Sequence, residues 1–195
     1  MRIITGTLKG RQFNVPKNLD ARPTSDRTKE GLFGVIEARR YIDDMHALDL
    51  FAGTGNLGFE AISRGAPSVL FVDESRESIN FINKMAKQFG VEKRAHTMQQ
   101  DIDVFLQMPH DSYDLIFADP PYDYPAMQEM VDQILENNWL NEDGWFVLEH
   151  DRRHDFVPHP NCVFSKPYGR TIVAIFKPYP PEDVPDEPES NINAL

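Results

Sequence analysis

Four consecutive residues, Asp119-Pro120-Pro121-Tyr122, carry the most specific chemistry that the sequence suggests, and they close an apolar run. Neither proline can donate a backbone hydrogen bond, and Pro121 holds the residue before it extended. The Asp119 carboxylate and the Pro120 carbonyl therefore remain as acceptors, which suit the two hydrogens of an exocyclic amine. Tyr122 offers a ring on which a base can stack. The tetrapeptide predicts methyl transfer to the amino group of a planar base, whereas Asp-Pro alone would indicate only a strand-ending turn.

A second apolar run ends in the glycine-rich sequence Asp49-Leu50-Phe51-Ala52-Gly53-Thr54-Gly55. Glycines at a strand end let backbone amides approach a bound cofactor. The spacing of Gly53, Gly55 and Gly58 also fits the dinucleotide fingerprint, so a nicotinamide oxidoreductase is an alternative on this motif. Asp49 favours another cofactor, because a carboxylate receives a cationic amino acid group but repels a pyrophosphate. A Walker-type phosphate loop is excluded, since no Gly-Lys-Ser or Gly-Lys-Thr follows.

Two further acidic residues follow later strand ends. Asp73 stands twenty positions after Gly53, a separation that fits an acid accepting hydrogen bonds from ribose hydroxyls. Alternatively, Asp73 or Glu74 caps the helix that opens at Ser75. Asp101 could hold an adenine amino group, but it is also a good helix cap. Both alternatives stay open at the level of sequence.

These motifs need a scaffold in which short apolar runs alternate with amphipathic ones. The pattern predicts strands at residues 47–50, 68–72, 95–98, 113–118, 144–149, 163–167 and 171–176. It predicts helices at residues 25–42, 57–64, 75–89, 102–108 and 125–137. The alternation implies an α/β fold with a parallel sheet and helices on both faces, so that the two motifs meet at one sheet edge. The last two strands must form an antiparallel hairpin, because a three-residue turn joins them.

Charge is distributed unevenly along the chain. The net charge is −11, yet residues 1–40 carry nine Lys or Arg against four Asp or Glu. Within this basic segment, residues 3–15 predict a small hairpin packed on the domain, with Lys9 and Arg11 exposed. A basic segment in an otherwise acidic protein can bind phosphates locally. An ordinary edge hairpin whose charges only keep it soluble is equally consistent with the pattern.

Length and composition set the remaining bounds. We expect residues 1–40 as a hairpin and helix packed on the core, 41–177 as the core, and 178–195 as a disordered acidic tail. Cys162 is the only cysteine, which excludes an internal disulfide and a cysteine-based metal site, and no metal is predicted. The sequence contains neither a membrane-spanning run nor a signal peptide. The single cysteine is typical of a reducing cytoplasm, and we also expect a monomer.

The chain resembles the RsmD family of bacterial methyltransferases. The resemblance runs from Arg2 to about Phe176 and rests on four motifs, which are Arg2-Ile3-Ile4-x-Gly6 with Gly10-Arg11, Arg22-Pro23-Thr24-x-Asp26-Arg27-x-Lys29-Glu30-x-Leu32-Phe33, the glycine turn with Ser63-Arg64-Gly65-Ala66, and Asp119-Pro120-Pro121-Tyr122. The tetrapeptide is widespread among amino-methylating enzymes, whereas the Arg-Pro-Thr segment and the Gly-Arg hairpin narrow the family. Many relatives have Glu where Asp73 stands and Phe where Tyr122 stands.

The resemblance implies a seven-stranded Rossmann-like class I methyltransferase that acts on guanine N2 in small-subunit ribosomal RNA, free or in a partly assembled subunit. It implies an S-adenosylmethionine site at Thr24, Asp49, Phe51, Ala52, Gly53, Gly55, Asp73, Glu74, Asp101 and Ile102, and RNA contacts at Lys9, Arg11, Arg22 and Arg27. Catalysis would fall to Asp119, Pro120, Pro121 and Tyr122. An amino-specific DNA methyltransferase and a non-catalytic RNA-binding module remain alternatives.

Overall fold

A single seven-stranded sheet organises the protein in the computed structural model, which describes residues 1–16 and 25–179. The strand order is β3-β2-β1-β4-β5-β7-β6. The strands are β1 His46–Leu50, β2 Ser68–Asp73, β3 Ala95–Gln99, β4 Tyr113–Ala118, β5 Leu140–His150, β6 Cys162–Tyr168 and β7 Thr171–Phe176. The first five strands pair in parallel, and β7 pairs antiparallel with both β5 and β6. The predicted fold class and the final hairpin are confirmed.

Five α-helices connect or flank the strands, close to the predicted positions. They are α1 Asp26–Glu37, α2 Asn56–Ser63, α3 Arg76–Phe89, α4 Ile102–Phe105 and α5 Met127–Glu136. The predictions for α1 and α4 were too long. The chain after α1 turns through extended Tyr41 into a short 3-10 segment at Ile42–Asp44. After α4, the Gln107 amide donates to the Val104 carbonyl at 3.1 Å and the Met108 amide donates to the Phe105 carbonyl at 3.0 Å, so tighter turns replace the α-helix before Pro109.

The sheet separates two apolar layers. One layer contains Phe33 of α1, Phe59 of α2 and Phe81 of α3, together with Phe13 of the N-terminal segment. The other contains residues of α4 and α5 such as Phe105 and Met130. Side chains alternate between the two faces of a strand. Asp49, Asp73 and Asp119 each come two residues after a strand residue that packs against α1, α2 and α3, so the alternation assigns them to that face of the sheet. No α-helix among the described residues is long and apolar enough to cross a membrane.

The N-terminal segment forms a hairpin outside the main sheet, as predicted. Its strands meet through one bridge between Arg2 and Gln12. It lies on α2, where the Glu60 carboxylate accepts hydrogen bonds from the amides of Ile4 and Thr5 at 2.8 and 3.0 Å. A Cβ at Gly6 would lie 1.8 Å from the Ser63 carbonyl oxygen, so this close approach requires glycine.

A buried ionic cluster joins this hairpin to α1 and α2. Lys29 Nζ donates to the Arg2 carbonyl at 2.7 Å and to Asn56 Oδ1 at 2.8 Å, and lies 3.4 Å from Glu60 Oε2. Arg64 Nε donates to the other Glu60 oxygen at 3.0 Å. The side chains of Lys29 and Glu60 are 1% and 0% exposed. Asn56 opens α2 directly after the glycine turn, so the cluster fixes the start of that helix.

Candidate active site

A cavity of about 600 Å³ opens at the carboxyl ends of β1, β2 and β4. It brings together nearly all of the residues predicted to bind the cofactor or to act in catalysis. The lining includes Asp49, Phe51, Ala52, Gly53, Asp73, Glu74, Asp101, Ile102, Asp119, Pro120, Pro121 and Tyr122. Gly55 is not among the lining residues; it is the N-cap of α2 and has a left-handed conformation. Thr24 and Arg22 lie outside the described residues.

Asp49 anchors the glycine turn from beneath. Its Oδ2 accepts a hydrogen bond from the Gly58 amide at 2.9 Å, and the residue is 3% exposed. A Cβ at Gly58 would come within 2.2 Å of the Phe71 ring and 2.9 Å of Asp49 Oδ2, so glycine is required for this contact. Burial raises the pKa of Asp49 well above its ordinary value, and the charges of Asp119 and Asp73 raise it further. A cation placed beside Asp49 would offset that cost.

Asp73 ties the glycine turn to β2. Its Oδ2 accepts from the Gly53 amide at 2.7 Å, and its Oδ1 accepts from the Ser75 amide at 2.8 Å. The cap of α3 is Ser75, whose hydroxyl oxygen accepts from the Ser78 amide. Both Asp73 oxygens are thus held by the backbone at the cavity wall, and each has a second lone pair for a ligand hydroxyl. The ribose contact stays a prediction.

Asp101 caps α4, the alternative left open by the sequence. Its Oδ1 accepts from the Val104 amide at 3.0 Å. Asp101 and the buried Ile102 nevertheless line the cavity, so a contact with an adenine ring remains a prediction for both.

The tetrapeptide forms the opposite wall. Asp119 and Tyr122 are half-buried, Pro120 is buried, and Pro121 is exposed. The Tyr124 amide donates to the Pro121 carbonyl at 2.9 Å, which closes a turn after the motif. The turn therefore presents Asp119 and Tyr122 toward a ligand in the cavity.

Sequence reasoning missed two contributions to this wall. The Arg153 guanidinium lies over the Tyr122 ring, 5.8 Å from its centroid, and is paired with Asp151 at 2.8 Å. Tyr124 packs edge-on against Phe51 at 5.0 Å and donates to the Asp103 carboxylate. The hydrogen bond and burial raise the pKa of Tyr124, with burial the larger cause. Their positions in the sequence could have indicated both residues, because Arg153 follows the end of β5 and Tyr124 follows the tetrapeptide.

The cavity has one sign of charge. Seven carboxylates line it, and no lysine or arginine of the described residues does. They are Asp49, Asp73, Glu74, Glu77, Asp101, Asp103 and Asp119. This set favours a cationic ligand and opposes a pyrophosphate, which extends the argument from Asp49 against a dinucleotide to the whole cavity.

The cations predicted to contact RNA lie apart from this cavity. Lys9 and Arg11 are exposed on the hairpin, and the Leu8 amide beside Lys9 donates to Ser63 Oγ at the far end of α2. An eight-residue helix is about 12 Å long, which is the distance from that end to the glycine turn. Arg27 is exposed on α1 and lines a separate groove. The structure therefore does not bring Lys9 next to Asp119.

Comparison with known proteins yields a family and close structural relatives. Residues 1–177 match the family described as Conserved hypothetical protein 95. YlbH of Bacillus subtilis is 36% identical over 91% of this chain and 98% of its own length. Ribosomal RNA small subunit methyltransferase D of Haemophilus influenzae is 32% identical over 89% of this chain and 91% of its own. The solved structure of yhhF from Escherichia coli is 27% identical, with a TM-score of 0.80 over 92% of this chain and 98% of that one.

Proposed function

The chain belongs to the Conserved hypothetical protein 95 (RsmD) family, and we propose that it transfers a methyl group from S-adenosylmethionine to N2 of a guanine in small-subunit ribosomal RNA. The proposal includes a cytoplasmic monomer that accepts the RNA free or within a partly assembled subunit. A homologue at 32% identity carries the name of a small-subunit ribosomal RNA methyltransferase, which supports the substrate class.

One observation carries the proposal. A single acidic cavity has the glycine turn on one wall and Asp119-Pro120-Pro121-Tyr122 on the other. Seven carboxylates line the cavity, and no lysine or arginine of the described residues lines it. This lining fits a donor that carries positive charge on both its ammonium group and its sulfonium. When bound, that donor supplies an electrophilic methyl group on a good leaving group. The protein then needs to contribute orientation and hydrogen-bond acceptors rather than a covalent intermediate.

The chain's own residues divide this work. Asp49 and Asp73 anchor the donor, Asp49 by its buried negative charge and Asp73 by accepting from ribose hydroxyls. Asp119 and the Pro120 carbonyl accept the two hydrogens of the guanine amine, which localises the nitrogen lone pair and aims it into the cavity. Tyr122 stacks on the base, and the Arg153 guanidinium lies 5.8 Å from the centroid of the same ring. The Asp119 carboxylate is placed to take the proton that nitrogen loses after methyl transfer.

The rival functions meet specific obstacles. An oxidoreductase would have to place a pyrophosphate among the seven carboxylates. An RNA-binding module without catalysis would have no use for an acidic cavity that joins the two motifs. An amino-specific DNA methyltransferase would use the same tetrapeptide, and only the polymer substrate separates it from the proposal.

The test is to follow tritium from labelled S-adenosylmethionine into nucleic acid. The substrates are small ribosomal subunits and their naked RNA, both from a strain that lacks the gene, with naked DNA in parallel. Digestion to nucleosides should yield labelled N2-methylguanosine from the ribosomal substrates. An Asp119→Ala variant gives the background. Label in another nucleoside, or preferential labelling of DNA, would refute the proposal.

A further inference from the structure

A second groove lies on the side of α1 that faces away from the glycine turn. It runs between α1 and β6 and has a volume of about 730 Å³. Three cations line it, Arg27, Arg39 and Lys166, against the carboxylate of Glu30 among the described lining residues. Two aromatic residues, Phe164 and Tyr168, complete the β6 wall. The groove thus combines cations with rings, whereas the active-site cavity is lined by carboxylates.

The groove opens at the same edge of the sheet as the active site. Ile172 of β7 pairs with His150, the last residue of β5, and also with Pro167 near the end of β6. Since β5 runs parallel to β4, the end of β6 lies three strand spacings from Asp119. That distance is about 14 Å. From this end the groove follows α1 toward Arg39, which lies two residues beyond the end of the helix. Arg27 and Glu37 are roughly 15 Å apart along the helix.

Close packing fixes the shape of the groove. A Cβ at Gly31 would lie 2.4 Å from the Tyr168 ring, so the missing side chain lets that ring lie against α1. Lys166 Nζ stands 5.5 Å from the centroid of the same ring, which places a cation beside an aromatic face. At Gly34, by contrast, an added Cβ would meet nothing within 4 Å, so the groove is open there.

We propose that this basic groove binds the single-stranded RNA backbone that leads away from the target nucleotide. Arg39 and Lys166 contact phosphates of the strand, and Lys166 does so from its position beside the Tyr168 ring. A strand whose base enters between Asp119 and Tyr122 cannot leave over the donor side, because the carboxylates there repel phosphate. Cations and an aromatic face along one channel are the combination that binds single strands. The inference rests on the proposed function and names a further part of the substrate site.

The experiment measures RNA affinity directly, apart from methyl transfer. The probe is a fluorescein-labelled single-stranded RNA oligonucleotide of mixed sequence, titrated by anisotropy over a series of salt concentrations. Arg39→Glu combined with Lys166→Glu should weaken binding about tenfold or more and reduce the log–log salt slope by about one to two units. The matched control, Lys84→Glu with Lys87→Glu, changes the net charge equally on exposed positions of α3.

Gly34→Glu is an independent variant, because it adds a carboxylate where the groove is open. It should weaken RNA binding in the same assay, and thermal unfolding should show all variants folded. The same variants are also assayed for binding to small ribosomal subunits. Three results would overturn the inference: no RNA binding by the wild type, equal losses of RNA affinity in the groove and control variants, or groove variants that bind subunits more weakly but naked RNA normally. The last would point to a ribosomal protein as the partner. If the wild type binds RNA through the groove but methylates none of the substrates, the proposed function is wrong and the inference that the groove binds RNA still holds.

Discussion

The two halves of the sheet's carboxyl edge are built differently. At the ends of β1 and β2, carboxylates are buried and accept from backbone amides, as Asp49 does from Gly58 and Asp73 from Gly53. At the ends of β4, β5 and β6, half-buried rings stand beside exposed cations, as Tyr122 does beside Arg153 and Tyr168 beside Lys166. The first half is a fixed acidic wall, and the second is an accessible surface of mixed chemistry.

The difference matches two kinds of ligand. A small cationic donor gains affinity from acceptors that need no rearrangement, so burying and tying down the carboxylates is useful. A polyanionic strand needs cations that it can reach and rings that it can cover. We call the ends of β1 and β2 the donor half, after the methyl donor, and the ends of β4, β5 and β6 the acceptor half, after the RNA that accepts the methyl group. Substitutions in the donor half should affect folding and donor affinity, whereas those in the acceptor half should affect turnover and RNA binding.

The largest expected effect concerns the buried cluster under the donor half. Glu60→Gln removes the charge that compensates Lys29 and replaces an acceptor of two backbone amides, so the free energy of unfolding should fall by about 3–5 kcal/mol. Glu37→Gln is the matched control, because Glu37 pairs with the same Arg64 from an exposed position and should cost less than about 1 kcal/mol. Urea denaturation measures both. Equal losses of unfolding free energy in the two variants would mean that the buried cluster stabilises the fold no more than an exposed ion pair does.

Asp119 tests the acceptor half. Asp119→Ala should reduce turnover by roughly 10²–10³ while donor affinity stays nearly unchanged, because it removes an acceptor used in the transition state. Single-turnover methylation and donor calorimetry separate the two quantities. Asp123→Ala, an exposed acid in the same loop, serves as the control. A parallel collapse of donor affinity would assign Asp119 to the donor half instead.

Asp73 should show the reverse pattern. Asp73→Ala should weaken S-adenosylmethionine by one to two orders of magnitude, on the order of 1.5–3 kcal/mol, through lost charge-assisted hydrogen bonds and a loosened Gly53 amide. Calorimetry on protein shown to be folded by circular dichroism gives the affinity. Unchanged affinity would leave Asp73 with a purely structural role in the turn.

Asp49 should make donor binding depend on pH. Its pKa is raised in the unliganded protein, chiefly by burial, and a cationic donor prefers the ionised carboxylate. Affinity should therefore fall as the pH drops below that raised pKa, by up to about tenfold per pH unit, and binding at a pH at or below that raised pKa should release protons, because the bound cation lowers the pKa of Asp49. By the same linkage, Asp49 lowers the stability of the unliganded fold as the pH rises through the folded pKa. Calorimetry in buffers of different ionisation enthalpy detects the protons, and Asp49→Asn should abolish the release.

The smallest effect is expected at Lys9 and Arg11, which are exposed on the hairpin near the Ser63 end of α2, away from the glycine turn. Replacing Lys9 and Arg11 with Ala should flatten the salt dependence of RNA binding by about one to two units of log–log slope. Thermal stability and donor affinity should barely change, because exposed charges contribute little to folding. A normal slope in this variant, together with loss in the groove variants, would assign RNA recognition to the acceptor half alone.

The sequence alone determined the fold class and the composition of the site. Alternating apolar periods dictate the order of strands and helices, and motifs at strand ends must converge because parallel strands share one carboxyl edge. Asp49, Gly53, Asp73 and Asp119 could be chosen on that ground, and all of them line one cavity. The ends of α1 and α4 were placed less well, since turn geometry after a helix depends on local bonds that periodicity does not register.

Only the tertiary structure decided which groups lie together across distant segments. Lys29 looks like a surface cation in a basic segment, yet it is buried against Glu60 because the hairpin and α1 close over α2. Arg153 reaches Tyr122, and Tyr168 reaches Gly31, through contacts between chain segments far apart in sequence. The same holds for the separation of an acidic cavity from a basic groove. Local sequence fixes the period of an element, whereas the neighbours of its exposed side chains are set by packing.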